Sequence, residues 1–255
     1  MRVERIYRYP LKGFTAEGLE EVALTAGATL PHDRRFALVQ GDAPFDPAAP
    51  RFLPKFNFAC MMRNAKVVLA RAAFDPHDGT LSLSAPGFVP LSAPTGTAEG
   101  RAALTAWLVG FLGEEARHGA DGRAPYLTEA PGHAFTDQVR KGVSILNLAT
   151  LAEVERDLGR RLNPLRFRAN FYVSGLAPWA EFDWVGGEVL LGGARLEVFK
   201  RTVRCPATQV NLGTGERDVD VPRLLRERYG HADLGVHAAV LDGGRVAAGD
   251  ALEPV

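Results

Sequence analysis

The sequence predicts a mainly β protein with a few helices, an α+β fold. Two observations carry this. Short runs of alternating or β-branched apolar residues recur along the chain, bounded by Gly, Pro and Asp turn signals. Helical periodicity, in contrast, is confined to three stretches. The first ninety-odd residues read as strands and turns, the pattern of a sandwich or barrel; the second half mixes strands with two helices.

Taken in order, residues 3–9 predict a strand ended by Pro10. Residues 20–25 alternate, with Val22 and Leu24 on one face of a half-buried strand. Residues 27–31 make a turn, and 34–40 a third strand through Phe36, Leu38 and Val39. Residues 41–54 hold four prolines, Gly41 and two aspartates, too many breakers for a central strand. Residues 65–71 and 80–85 resume the strand pattern about the turn Asp75-Pro76-His77-Asp78-Gly79. Leu104, Trp107, Leu108, Phe111 and Leu112 then share one helical face, with Thr97 as N-cap. Residues 119–136, rich in Gly, Ala and Pro, predict a boundary or mobile loop dividing the chain into segments 1–120 and 121–255.

Beyond it, residues 143–147 predict a strand. The capping-box pattern Thr150-Leu151-Ala152-Glu153 opens a helix with Leu151, Val154 and Leu158 inward. A strand over 168–174 would place Arg166, Arg168 and Asn170 on one face. Residues 188–191 and 194–200 form a hairpin about Gly192-Gly193. Asp220 caps a short helix with Pro222 in its first turn and Gly230 as its stop. Residues 236–241, a turn at Gly243-Gly244 and a last strand to Leu252 close the chain.

Thirty basic residues balance thirty acidic ones, so no net field favours nucleic acid or an acidic membrane. The N-terminus carries charge where a signal peptide is apolar, and no apolar window is long enough to span a bilayer. The two cysteines, Cys60 and Cys205, exclude a four-cysteine iron–sulfur cluster and a Cys-rich zinc site. The expectation is a cytoplasmic protein in a reducing compartment, with neither nucleic acid nor membrane as partner.

Gly-x-Ser-x-Gly, Walker and His-Glu-x-x-His motifs are absent. The six histidines lack metal-ligand spacing; His32 stands out only because it borders the basic cluster Asp33-Arg34-Arg35. Cys205 follows Lys200, Arg201 and Arg204. Positive neighbours favour a thiolate, the metal-ligating and nucleophilic form, although a free cysteine is more often a small buried hydrophobe. Cys60, beside Met61 and Met62, reads as core. Trp179 and Trp184 read as packing residues, or as the lining of an entrance. The stretch about Cys205, the Tyr9-Pro10-Leu11-Lys12 segment and the 32–35 cluster are expected to meet around one anionic cofactor, with the Cys205 sulfur in contact.

Together, Tyr9-Pro10-Leu11-Lys12, Asp33-Arg34-Arg35, Phe167-Arg168-Ala169-Asn170, Arg204-Cys205 with Thr208, Thr214-Gly215-Glu216 and Gly249-Asp250 resemble the MOSC family, named for the C-terminal domain of molybdenum cofactor sulfurase. The resemblance is greatest to two-part members with an N-terminal MOSC β-barrel segment, of which the mitochondrial amidoxime-reducing component is one. It implies a MOSC-type β-barrel with an N-terminal β-rich segment, binding the molybdenum–molybdopterin cofactor. By the same resemblance Cys205 would ligate the metal, and Lys12, Arg34, Arg168, Asn170 and Arg204 would hold or adjoin the cofactor, with Ser144 close by. The implied activity is reduction of a small N-oxygenated substrate by oxygen-atom transfer. Electrons would come from a separate ferredoxin-, cytochrome b5- or flavin-reductase-type partner. The alternative is a cofactor or persulfide carrier without turnover. The family also carries an association with pyridoxal phosphate. The chain differs from the family in having Lys12-Gly13 where Lys-Ser is frequent, Ala169 between Arg168 and Asn170, and Val203 before Arg204.

Overall fold

The computed structural model describes all 255 residues and is mainly β, with fifteen strands and three α-helices. The chain begins with β1 (Arg2–Arg8), β2 (Glu17–Leu19), β3 (Glu21–Leu24), β4 (Phe36–Val39), β5 (Arg71–Asp75), β6 (Thr80–Ser84) and β7 (Leu91–Pro94). Helix α1 (Ala98–Leu112), β8 (Tyr126–Glu129), β9 (Val143–Asn147), α2 (Leu148–Leu158) and β10 (Phe171–Ser174) follow. The C-terminal part holds β11 (Glu188–Leu191), β12 (Ala194–Val203), α3 (Val221–Tyr229), β13 (Asp233–Asp242), β14 (Gly244–Ala247) and β15 (Leu252–Pro254). No helix is long and apolar enough to cross a membrane.

Eight strands form one curled sheet in the order β15-β11-β12-β13-β9-β10-β1-β2. All its pairs are antiparallel except β9 with β10. Strand β1 lies inside this sheet, with Ile6 opposite Phe171 of β10 on one side and Leu19 of β2 on the other. One face packs around Ile6, Ile145, Phe171, Val198 and Val236. The other is covered by α2 and α3 through Leu146, Leu151, Val154, Tyr172 and Leu225. Being covered on both faces, β9 is buried at every residue, which is why it reads as an unbroken apolar run rather than an alternation. The smaller sheets β4-β8 and β5-β6-β7 pack with α1 around Leu11, Phe14, Phe36, Leu38, Leu104 and Leu108.

Several sequence expectations change in the structure. Residues 65–69 are a 3₁₀ turn, not a strand; Val67 and Val68 are adjacent yet both buried, which no alternating strand of a half-covered sheet allows. Helix α2 starts at Leu148, because the Asn147 side chain accepts from Ala149 N, while Thr150 Oγ1 donates to Glu181. Within 119–136 lies β8, whose Leu127 pairs with Leu38 of β4. The strand read from 168 begins at Phe171, after a 3₁₀ turn over Pro164–Phe167 and a left-handed Arg168 at φ 53°. Arg166, Arg168 and Asn170 therefore do not share a strand face. The caps of α3 follow the sequence: Asp220 accepts from Arg223 N, and Gly230 takes φ 76°.

Gly100 sits in the first turn of α1, where a Cβ would lie 2.0 Å from the Pro94 carbonyl oxygen of β7. Gly110, in the same helix, faces open space. Alanine normally stabilises a helix by up to about 1 kcal/mol over glycine. Gly110→Ala is expected to follow that rule, whereas Gly100→Ala should destabilise by about 1–3 kcal/mol through overpacking. Urea unfolding of the two variants checks the opposite signs.

Candidate functional site

Two non-glycine residues with left-handed backbones form the floor of the site. Arg34 (φ 49°) and Arg168 (φ 53°) lie at corners of the chain far apart in sequence, and the Tyr9 ring joins them. The guanidinium carbons stand 4.4 and 4.2 Å from the centre of that ring. Tyr9 N donates to Asp33 Oδ1 at 2.8 Å, Arg34 N donates to Tyr9 O at 2.8 Å, and Tyr9 Oη donates to Ala169 O at 3.2 Å. Arg34 also pairs with the Asp33 carboxylate, and its Nη2 donates to Arg168 O at 2.8 Å. Burial and the nearby Arg34 charge push Arg168 down to about 10. Burial opposes charge on Arg34 too, but Asp33 and Tyr9 outweigh it and raise its pKa.

Over this floor opens a cavity of about 260 Å³. All seven residues singled out from the sequence line it: Lys12, Arg34, Ser144, Arg168, Asn170, Arg204 and Cys205. Their side chains are not equally free. Ser144 Oγ donates to Asn170 Oδ1 at 3.0 Å, and Asn170 Nδ2 donates to Tyr7 O at 3.2 Å, so this pair braces β9 against β10 and β1. Arg204 is buried, its guanidinium donating to the carbonyls of Leu234 and Phe167. It fixes the backbone that presents Cys205. Arg168 Nη1 donates to Phe14 O, leaving Nε and Nη2 without a protein oxygen.

Cys205 lies just before the 3₁₀ turn Pro206–Gln209, which Thr208 ties back by donating to Cys205 O at 3.0 Å through both N and Oγ1. The thiol is free and partly exposed. The cation touching its sulfur is Lys55, whose Nζ donates to Sγ at 3.1 Å. The Lys55 ammonium lies 3.6 Å from Asp137 Oδ2, and Asp137 Oδ1 lies 2.5 Å from Lys12 Nζ. Lys12 also donates to Phe135 O at 2.8 Å. Burial disfavours the Asp137 carboxylate, but Lys12, Lys55 and Arg34 outweigh it and hold the group at about 2. Burial likewise opposes charge on Lys55, yet Asp137 and Cys205 raise its pKa.

Lys55, Asp137 and His237 have no short-range sequence signal; each joins the cavity through contacts distant along the chain. Of the residues read from the sequence, Arg201 turns away onto the Phe182 ring, 4.4 Å from its centre. His32 contacts Arg35 Nη1 at 3.1 Å, outside the cavity. Trp184 is buried, and Trp179 packs on Tyr229, so neither forms an entrance. Cys60 is buried as expected but also forms part of the cavity wall, where burial raises its thiol pKa. Gly13 has a steric explanation: at φ 89° an added Cβ would meet Ala59 O at 3.0 Å and Cys60 Cα at 3.1 Å.

His237, in β13, stacks on Phe199 beside the cavity. Burial, then the charges of Arg204 and Lys200, lower its pKa to about 3. The unfolded chain takes up this proton near the ordinary histidine value, and the folded chain does not until about pH 3. Stability is therefore complete above about pH 6.5 and is lost as pH falls towards 3. In His237→Gln the loss between pH 7 and 4 should be smaller than in the wild type, read as melting temperature against pH.

Two buried side-chain polar atoms in the protein find no partner, Arg166 Nε and Thr202 Oγ1, and both belong to residues lining this cavity. Buried polar groups are ordinarily satisfied. Cationic side chains, several of them paired with carboxylates, and a soft sulfur share this cavity, a combination that suits an anion or a soft metal.

A β-rich chain closing on one cation-lined, thiol-bearing cavity is the class of protein defined here. Residues 1–130 match the MOSC N-terminal beta barrel domain and residues 115–253 the MOSC domain; the chain belongs to the MOSC domain family. It is similar to mitochondrial amidoxime-reducing component 1 of Mus musculus, 33% identical over 85 residues. That match covers 33% of this chain and 24% of the relative's length. Among solved structures, the YUAD protein from Bacillus subtilis aligns over 99% of this chain and 94% of its own, at 15% identity and a TM-score of 0.48. YiiM from Geobacillus stearothermophilus aligns over 44% of this chain and 53% of its own, at 20% identity and a TM-score of 0.36.

Proposed function

We propose that the cavity binds the molybdenum–molybdopterin cofactor and that the protein reduces small N-oxygenated molecules by oxygen-atom transfer, with Cys205 as the thiolate ligand. The observation carrying this reading is the convergence of Lys12, Arg34, Ser144, Arg168, Asn170, Arg204 and Cys205 on one cavity. Family membership supports a function related to the molybdenum cofactor, and the name of the mouse relative supports N-reduction as the reaction class.

The donor set fits the group. Lys12 and Arg34 supply charge for a phosphate, and Arg168 offers the nitrogens that no protein oxygen takes. Ser144 and Asn170 hold the wall, and Arg204 holds the Cys205 backbone. When bound, the cofactor supplies two-electron redox chemistry; the protein positions it and excludes competing reactions. Two cysteines cannot hold a four-cysteine cluster, so the reading includes a separate ferredoxin-, cytochrome b5- or flavin-reductase-type electron donor.

A carrier that hands on cofactor or persulfide uses the same thiol, which is free and partly exposed. Molybdenum and pterin analysis of the purified protein, followed by turnover of a hydroxylamine-type substrate with a reduced dye, tests the reading. Stoichiometric metal with turnover is the expected result. Metal without turnover favours the cofactor carrier, and cyanide-releasable sulfur without molybdenum the persulfide carrier.

A further inference from the structure

We infer that Lys55 is a positioning residue for the Cys205 sulfur, making that atom selective for anionic partners over neutral ones. The cations next to Cys205 in sequence do not serve this purpose: Arg204 is bound to the Leu234 and Phe167 carbonyls, and Arg201 lies on Phe182. Lys55 alone donates to Sγ, at 3.1 Å, across 150 positions of sequence.

The contact is built rather than accidental. Lys55 opens a 3₁₀ turn at the end of the proline-rich segment. That turn is fixed to β4, where Gln40 N donates to Asn57 O at 2.9 Å and Ala59 N donates to Leu38 O at 2.9 Å. Asp137, 3.6 Å from the Lys55 ammonium, rides on a strap anchored by Phe135 N donating to Arg34 O at 2.8 Å. The two carriers touch through Phe58 and Phe135, whose rings pack edge to face at 5.2 Å. Lys55 is thus held between a carboxylate and a sulfur, with its stem three-quarters buried (side chain 25% exposed). An ammonium so placed donates to the sulfur and attracts negative charge arriving at it.

The inference deepens the reading of Cys205 above but does not need the cofactor, and its test uses the metal-free chain. In a Cys60→Ala background, Cys205 is alkylated by iodoacetate and, separately, by neutral iodoacetamide; in each case an S–C bond forms and iodide leaves. The ratio of the two rates cancels the thiolate fraction and reports the local field. Lys55→Met is expected to lower that ratio about three- to tenfold, Lys55→Arg to restore most of it, and Asp137→Asn to raise it. In the wild-type chain the ratio should fall as salt is added. An unchanged ratio in Lys55→Met, or an equal loss in Arg168→Met, overturns the inference, because the field would then belong to the cavity in general. If Lys55→Met does not fold, a salt-independent wild-type ratio overturns it instead. Absence of the effect in the metal-free chain, beside stoichiometric molybdenum in the purified protein, removes the Lys55 role alone; the effect intact in a protein that purifies without molybdenum removes only the cofactor reading.

Discussion

Cys205→Ala is expected to purify with little or no molybdenum, while Cys60→Ala retains it. Both residues line the cavity, but only Cys205 is partly exposed and held by an ammonium donor, whereas Cys60 is buried with its thiol pKa raised. Loss of an outer-shell partner typically weakens a metal site by roughly 10–100-fold, and loss of the ligand itself should cost more. Both variants should fold, because Cys205 is not part of a core cluster and Cys60 loses only a small side chain. The check is metal content per chain, with circular dichroism as the folding control. Retention of molybdenum by Cys205→Ala would falsify the ligand assignment.

The second large effect concerns Tyr9, whose ring lies between two guanidiniums. Tyr9→Ala removes a fully buried aromatic ring and should destabilise by about 3–5 kcal/mol. It also removes the surface on which Arg34 and Arg168 rest, a contact worth about 2 kcal/mol in desolvated sites. The freed arginines would then repel one another, so binding of a phosphate-type anion should weaken as well. Tyr9→Phe keeps the ring and loses one long hydrogen bond to Ala169 O, at about 1 kcal/mol. Urea unfolding and pyrophosphate binding, measured on both variants, separate loss of the ring from loss of the hydroxyl. Equal anion affinity in Tyr9→Ala and wild type would refute the positioning of the arginines by the ring.

The parts of this protein that were legible in sequence are those specified locally. The ends of α3 follow from Asp220, Pro222 and Gly230 because capping acts within one turn. The pattern of Val22 and Leu24 shows in β3 because one of its faces is covered and the other is not. Local rules failed where tertiary contacts took over. Thr150 has the capping-box signature, yet its hydroxyl goes to Glu181, 31 residues on, and Asn147 caps α2 instead. Arg168 reads as a strand residue but takes a left-handed conformation, with its side chain on Phe14 O and the Tyr9 ring. The candidate site divides in the same way. Cys205, Lys12 and Arg34 were recognisable from motif order. Lys55 and Asp137 were not, because a lysine after a proline-rich loop and an aspartate in a Gly- and Pro-bearing stretch look like surface residues until the fold places them together.

The position of β1 has a consequence for how the molecule is made. Ile6 waits for Phe171, and until residues 171–174 have been synthesised the first strand has no partner on that side. Such long-range pairing is slow to form, and an unpaired strand invites association with other chains. Until β10 is made, β1 therefore keeps one open edge, with β2 as its partner on the other side. The eight-stranded sheet cannot close until late, although the β4–β8 core can form earlier, and chaperone demand should peak before β10 emerges.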